Sequence, residues 1–408
     1  MKKIILLLAV LASCNLFSQN NETTLKIFLN CNYCDITYIK QNLDYVEFVR
    51  DQKDADVHLL FRTQVNGSGG TIYEIEFIGQ NHYNEVQDKL TFSTNSDSTD
   101  SEIREMILKY TKLGLVRYWL KNGAHDKISV EMKKEKEVDV KEQKDVWNNW
   151  VFDFGLRGYF YGQESNKDRN LNFSVTVKQV KVENKFYLRG NLNDSRSVYT
   201  FDGADIISTR KSSSLTLYDV VSINNHWSAG VFAEAGKSTY GNKAFYGSLK
   251  PAIEYNFFSY EKSSEKQLML AYKVGGIHTN YNERTIFNKE KEFLWEHNLS
   301  LGGIVKQKWG SITSEVSYES FLKNPSLNAF SFYLGTNFRI VKGLSFNISG
   351  NYDITNNQIN LAAGDLSLEE LLLSQQQVKS GYNYFFSVGL NYSFGSMFNT
   401  IVNPRFNF

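Results

Sequence analysis

Tyr382-Asn383-Tyr384-Phe385-Phe386-Ser387-Val388-Gly389-Leu390-Asn391-Tyr392-Ser393-Phe394 repeats with a period of two. Tyr382, Tyr384, Phe386, Val388, Leu390, Tyr392 and Phe394 fall on one side, and Asn383, Ser387, Gly389, Asn391 and Ser393 on the other. Successive strand side chains point to opposite faces, so the stretch reads as a strand with one apolar and one polar face. It is longer than the roughly five or six residues of an ordinary soluble strand. The same alternation recurs upstream. Leu344, Phe346, Ile348, Tyr352 and Ile354 interleave with Ser345, Asn347, Ser349, Asn351 and Asp353. Trp150, Phe152, Phe154, Leu156 and Phe160 oppose Asp153, Arg157 and Tyr159.

Extended over the chain, the pattern gives twelve candidate strands, near 149–162, 170–182, 185–200, 211–223, 226–238, 244–258, 266–281, 292–307, 309–322, 328–341, 343–356 and 381–395. Soluble sandwiches alternate too. Strand length, a nearly uniform apolar face with aromatic residues toward its ends, and turns alternating between short and long favour a membrane barrel instead. Glu183-Asn184, Asn224-Asn225, Lys308 and Val341-Lys342-Gly343 read as tight turns. Asp202–Arg210, Asn282–Lys291, Lys323–Leu327 and Asn357–Ser380 read as long loops, and Phe258–Lys266 is an exception on the short-turn side. The expected fold is β-rich: a barrel of about twelve antiparallel transmembrane strands over residues 147–408, preceded by a small periplasmic α/β domain. Composition agrees, with 29 Phe, 24 Tyr and only 3 Pro, since Pro cannot donate to a ladder. Mean hydropathy is negative, which excludes a bundle of membrane helices but not a barrel, whose two faces average out. A net charge of +1 points away from nucleic acid.

Residues 1–19 read as a secretion signal, with Lys2 and Lys3 ahead of an apolar Ile4–Leu11. Two cleavage readings stand side by side: a lipobox at Leu11-Ala12-Ser13-Cys14, leaving a lipidated Cys14, or ordinary cleavage near Ser18. Residues 24–123 read as one α/β domain. Leu25–Leu29 is a strand, Asp35 caps a short helix, and Val57–Val65 and Thr71–Gly79 flank a glycine-rich hairpin. A helix follows from about Ser101 to Lys121, with Ile103, Met106, Ile107, Tyr110, Leu113 and Leu120 as its expected buried stripe. Residues 124–146 are a charged, solvated linker.

The segment Gly389-Leu390-Asn391-Tyr392-Ser393-Phe394 resembles the terminal-strand signal of Gram-negative outer-membrane β-barrels, carried here by Gly389, Leu390, Tyr392 and Phe394. The chain departs from that pattern by continuing to Phe408. The resemblance implies an outer-membrane location, contact with outer-membrane lipid, and recognition by the barrel-insertion machinery. Ala55-Asp56-Val57-His58, the glycine hairpin and Leu113-Gly114 resemble the N-terminal domain of the periplasmic protein TolB. That likeness implies a protein-binding module in the periplasm, and with it a periplasmic protein partner.

Chemistry-bearing residues are few. Cys31-Asn32-Tyr33-Cys34 sits at a helix start, which suits a redox dithiol. Thioredoxin-like sites also set a cis-proline against the dithiol, whereas Pro251, Pro325 and Pro404 all lie in the barrel. A structural disulfide in an oxidising compartment is therefore the preferred reading of Cys31 and Cys34. No metal or cofactor is expected, since no His or Cys pair lies near enough to complete a site. His58 sits in a strand as a packed or surface residue. Twelve strands is also the size of the outer-membrane phospholipase, a family with a serine two residues after its histidine. His278 is followed by Thr279 and Asn280, so no enzyme of that kind is expected. By the alternation, Asp153, Arg157, Lys178, Arg189, Glu234, Lys250, Glu254, Lys273, Glu296, Lys306, Glu315, Glu319, Arg339 and Asp353 point into the lumen. Their signs nearly balance, which favours cross-lumen pairing over the single-sign excess of a selective channel. The expected function is structural, a barrel anchoring a periplasmic interaction domain. A small-solute pore is the alternative, and an outer-membrane enzyme a distant third.

Overall fold

The computed structural model describes residues 24–129, 145–201, 203–364, 377 and 380–396, with 398, 400, 402, 403 and 405 beyond them. The secretion signal, Cys14 and linker residues 130–144 lie outside the described residues.

The first domain contains β1 (Leu25–Asn30), α1 (Ile36–Asn42), β2 (Val46–Phe48), β3 (Val57–Val65), β4 (Thr71–Gly79), β5 (Gln87–Ser93) and α2 (Asp100–Lys121). Its sheet runs β2-β1-β3-β4-β5, with β1 parallel to both β2 and β3. Asp35 caps α1 by accepting from the Tyr38 amide, and Thr99 with Glu102 forms a reciprocal capping box on α2. The core gathers Ile27, Leu59, Ile75, Phe77, Ile107, Leu115 and Tyr118. The buried stripe of α2 is Ile107, Thr111, Gly114, Leu115 and Tyr118. Leu113 and Leu120, expected in that stripe, are exposed instead. Gly114 explains the rotation: a Cβ there would lie 2.0 Å from the Phe77 ring. Only glycine lets this turn of the helix press onto the sheet, and that contact fixes which side faces in.

The second part is a meander of β6 (Trp150–Gln163), β7 (Asn166–Val180), β8 (Asn184–Phe201), β9 (Ala204–Ser222), β10 (Trp227–Ser238), β11 (Lys243–Asn256), β12 (Lys266–Tyr281), β13 (Lys291–Gln307), β14 (Gly310–Phe321), β15 (Asn324–Val341), β16 (Leu344–Thr355) and β17 (Tyr382–Tyr392). Each strand pairs antiparallel with its sequence neighbours in one twelve-stranded sheet. The ladder ends at β6 and β17, which share no pairing among the described residues. Strands of 11 to 19 residues exceed the roughly 9–11 needed to cross hydrocarbon, so the longer ones continue past it. Two expected long loops are corrected. Ala204–Arg210 is strand, paired with Ser195–Phe201 through a turn at Gly203 (φ +77°). Asn324 already begins β15, so the Lys323–Leu327 loop shrinks to two residues between Phe321 and Asn324. In both places the polar side chains carry no alternation, while the backbone continues to pair.

Register puts the two faces in order. Asp153, Thr176, Arg189, Thr216, Glu234 and Ser248 are successive cross-strand partners on one face. The other face exposes Phe154, Phe173, Leu192, Leu215, Val231, Leu249, Trp295, Leu299, Leu301, Val388 and Leu390. Exposed apolar surface continuing across the whole sheet far exceeds the few hundred Å² that water-soluble monomers tolerate. It is the surface a strand presents to lipid. Arg at Leu299 should therefore cost roughly 2–4 kcal/mol if that site lies near the bilayer midplane, and Arg at the neighbouring polar-face Ser300 much less. Urea unfolding in lipid vesicles measures the difference, and equal costs at both sites would place protein on both faces.

Candidate functional site at the mouth of the sheet

The α/β domain docks on the turn ends of the large sheet. Gly67 in the β3–β4 hairpin packs against Val180, and Gly69 lies beside the Lys178 amine, both at the β7–β8 turn. At the β11–β12 turn, Gln64 donates to the Ser263 hydroxyl (2.9 Å), the Ser264 hydroxyl donates to Glu74 (3.3 Å), and Lys89 faces Glu265 (3.9 Å). At the β15–β16 turn, Asp51 accepts from the Gly343 amide (2.8 Å), Lys342 pairs with Asp54 (2.5 Å), and Arg339 donates to Gln52 (2.8 Å). The Arg339 guanidinium also lies 4.6 Å over the Phe28 ring. Beyond β17, Val49 bridges to Phe398 and the Phe48 amide donates to the Thr400 hydroxyl (2.9 Å). One small domain thus reaches turns near one edge, at the middle, and beyond the other edge of the sheet. The sheet must be rolled for these sites to meet. The longish Phe258–Lys266 turn, an exception by length, is one of the docking points.

The opposite end is also bridged. Residues after β16 cross to the loops of β10–β11 and β12–β13: Thr285 pairs with Ala362, the Ile286 amide donates to the Leu361 carbonyl (2.9 Å), and Asn242 donates to the Asn360 carbonyl (2.9 Å). Thr285 and Leu361 are buried there.

All fourteen charges assigned to the lumen share the polar face by register. Their partners differ from the simplest pairing of arginines with carboxylates. Lysines make the ion pairs, Lys178 with Asp153 (3.7 Å) and Lys250 with Glu296. Glu319 accepts from Asn357 (3.0 Å), Asp353 from Asn351 (2.7 Å), and Glu254 from the Tyr260 hydroxyl (3.1 Å). Arg157 and Arg189 have no ion-pair partner among the described residues. Arg339 and Lys306 line the seam with the docked domain rather than the span. An aromatic row missed in the sequence runs across the same face. Tyr187 stacks on Tyr218 (4.8 Å), Tyr218 meets Phe232 (5.3 Å), and the Lys273 amine sits over Phe232 (4.1 Å). Phe232, Glu254, Lys273 and Glu315 help line a 230 Å³ cavity. Cross-strand neighbours are far apart in sequence, so only a register assignment could have found this row.

Cys31 and Cys34 are joined as a disulfide. His278 lies on β12 without a catalytic neighbour among the described residues. His297 instead faces Ser320 across strands (2.8 Å), with the Tyr272 hydroxyl at its other ring nitrogen (3.4 Å). Ser320 is 2% exposed, so the arrangement satisfies two polar groups on the apolar face and offers no reachable nucleophile. Gly389, Leu390 and Tyr392 lie on β17, with Phe394 just beyond it.

No family model matches the chain, and no curated protein sequence does. Solved structures similar to it include the porin NanC (9% identity, 59% of this chain and 100% of that one, TM-score 0.29). A FadL homologue of Pseudomonas aeruginosa is similar at 13% identity, over 61% of this chain and 76% of that one, TM-score 0.29. The translocator domain of the autotransporter NalP from Neisseria meningitidis is similar at 12% identity, over 59% and 86%, TM-score 0.28.

His58 lies under the docking surface, 1% exposed, edge-on to Phe28 (5.1 Å) and with its Nε2 unpartnered. Burial first, then the nearby charges of Arg339, Lys308 and Arg62, push its pKa from 6.5 down to about 3. The folded state therefore takes up this proton less readily than the unfolded state. The stability that neutral His58 contributes is complete above about pH 6.5 and is lost as pH falls toward about 3. The slope approaches 1.4 kcal/mol per pH unit inside that window. Proteolytic resistance of the α/β domain, measured from pH 8 to 4 on the full chain, should fall below pH 6.5. His58→Gln should flatten the profile, and an unchanged slope in the variant would assign it to carboxylates.

Proposed function

We propose that this chain is an outer-membrane β-barrel, closed at rest, that anchors its α/β domain as an interaction module across the periplasmic mouth. The observation that carries this reading is the docking of that one domain on three turns and on the tail of a single sheet end. Supporting it, residues 357–364 cross the opposite end, and the polar-face charges are compensated in place. A continuous water path has no support in such an arrangement. The domain's outward helices suit an interaction role. Tyr38, Tyr45, Leu113, Val116 and Trp119 line a 620 Å³ groove on α1 and α2, and Leu113 and Tyr45 are exposed.

A small-solute pore is the second reading, favoured by the aromatic row from Tyr187 to Phe232 on the polar face. The two differ in what the intact chain conducts. In planar bilayers the full chain should show little steady current. Removing the dock with Asp51→Ala, Gln52→Ala and Asp54→Ala together should produce intermittent openings. Large, stable single-channel steps from the unmodified chain would overturn the closed anchor and promote the pore.

A further inference from the structure

Where the docked domain meets the β13–β14 and β15–β16 ends, it encloses a cavity of 350 Å³. That is within the roughly 300–1,000 Å³ typical of small-ligand sites. Four cationic side chains line it, Arg62 from the α/β domain and Lys306, Lys308 and Arg339 from the sheet, and no carboxylate does. Asn32 and Trp309 add uncharged donors to the same wall.

Arg62 is 4% exposed and spends its two terminal nitrogens on Glu74 (2.8 Å) and Glu76 (2.7 Å). Its Nε is buried without a partner. Arg339 uses one terminal nitrogen on Gln52 and stacks its plane on Phe28. Lys306 and Lys308 make no ion pair among the described residues. Gathering like charges around a partly enclosed space is costly unless an anion answers them. A buried donor left unpaired costs about 1–3 kcal/mol. Both features sit on the same wall and call for one acceptor with several oxygens.

We propose that this cavity binds a phosphate-bearing anion, which bridges the α/β domain to the sheet and strengthens the dock. Arginine and lysine suit that ligand. The guanidinium donors reach two oxygens at once, and the ammonium groups balance the second charge that a phosphate monoester carries and a carboxylate lacks. The depressed pKa of His58 beside it reports the same positive field. The assignment rests on the docked arrangement and not on whether the barrel conducts. Two sources could supply the group, free inorganic phosphate or the headgroup of a phosphatidic-acid lipid at the membrane surface.

The test uses the full chain in detergent and in vesicles. An Asp54→Cys, Lys342→Cys pair reports docking by disulfide trapping, separately from binding. Calorimetric titration with inorganic phosphate, against chloride at matched ionic strength, should show saturable binding. It should weaken roughly tenfold or more in Lys306→Gln, Lys308→Gln, since each lost charged contact is worth about 1.5–3 kcal/mol. Phosphate should also speed trapping of the cysteine pair. Binding and faster trapping only in vesicles doped with phosphatidic acid, and not in plain phosphatidylcholine, would assign the lipid source. Efficient trapping that neither phosphate nor phosphatidic acid alters, with no heat of binding, would overturn the site while leaving the docked arrangement intact. Absent trapping under every condition would overturn the dock and the site together.

Discussion

Inside hydrocarbon a backbone amide has no water to turn to, and each unpaired group costs several kcal/mol. That constraint governs the second part of this chain. It forces every crossing segment into a ladder, so β6 to β17 pair neighbour to neighbour without a crossover. The ladder fixes the pleat, and the pleat fixes the alternation. Apolar side chains then go to the lipid, and the charges and the Tyr187–Phe232 row go to the opposite face. The α/β domain obeys a different rule, since water reaches it. Its parallel β2-β1-β3 edge is roofed by a helix seated through Gly114.

Sequence reading succeeded where one physical signal acted alone. Period two across a membrane is such a signal, and it yields twelve strands and the face assignment of residues such as Glu296 and Leu299. It weakens outside the bilayer, where both faces meet water. Ile206 to Arg210 lost its pattern there and read as a loop, although its backbone stays paired with Ser195 to Tyr199. The α2 stripe was set one position off because Gly114, having no side chain, is invisible to a hydrophobic periodicity. The three-residue β2 and the polar β5 carried too little pattern to be seen. The contacts that build the mouth were beyond reach for another reason. Arg339 and Gln52 lie 287 residues apart, and nothing local marks them as partners.

The docking surface is chemically unlike either core that it joins. It consists of hydrogen bonds, ion pairs and one stacked guanidinium, with few apolar contacts. Interfaces of that polar kind resemble transient ones, and relative motion across them is the usual expectation. Closed and opened arrangements then differ by a modest free energy. Burial of His58 ties part of that balance to proton concentration, and the basic wall of Arg62 and Lys306 ties another part to dissolved ions. A barrel that merely carried a passenger domain would have no need of such terms at its rim.

The Val49–Phe398 bridge has a consequence in time. The α/β domain leaves the ribosome first, and the tail that it pairs with leaves last. Its docking points are scattered over turns that come together only when most of the meander has formed. The domain can fold alone on its local and short-range contacts, but its full set of docking contacts cannot form until synthesis and rolling of the sheet are nearly complete. Docking is thereby a completion check. A chain truncated before β17, or one whose last hairpin has not joined, keeps its first domain untied, recognisable to proteases or chaperones as unfinished.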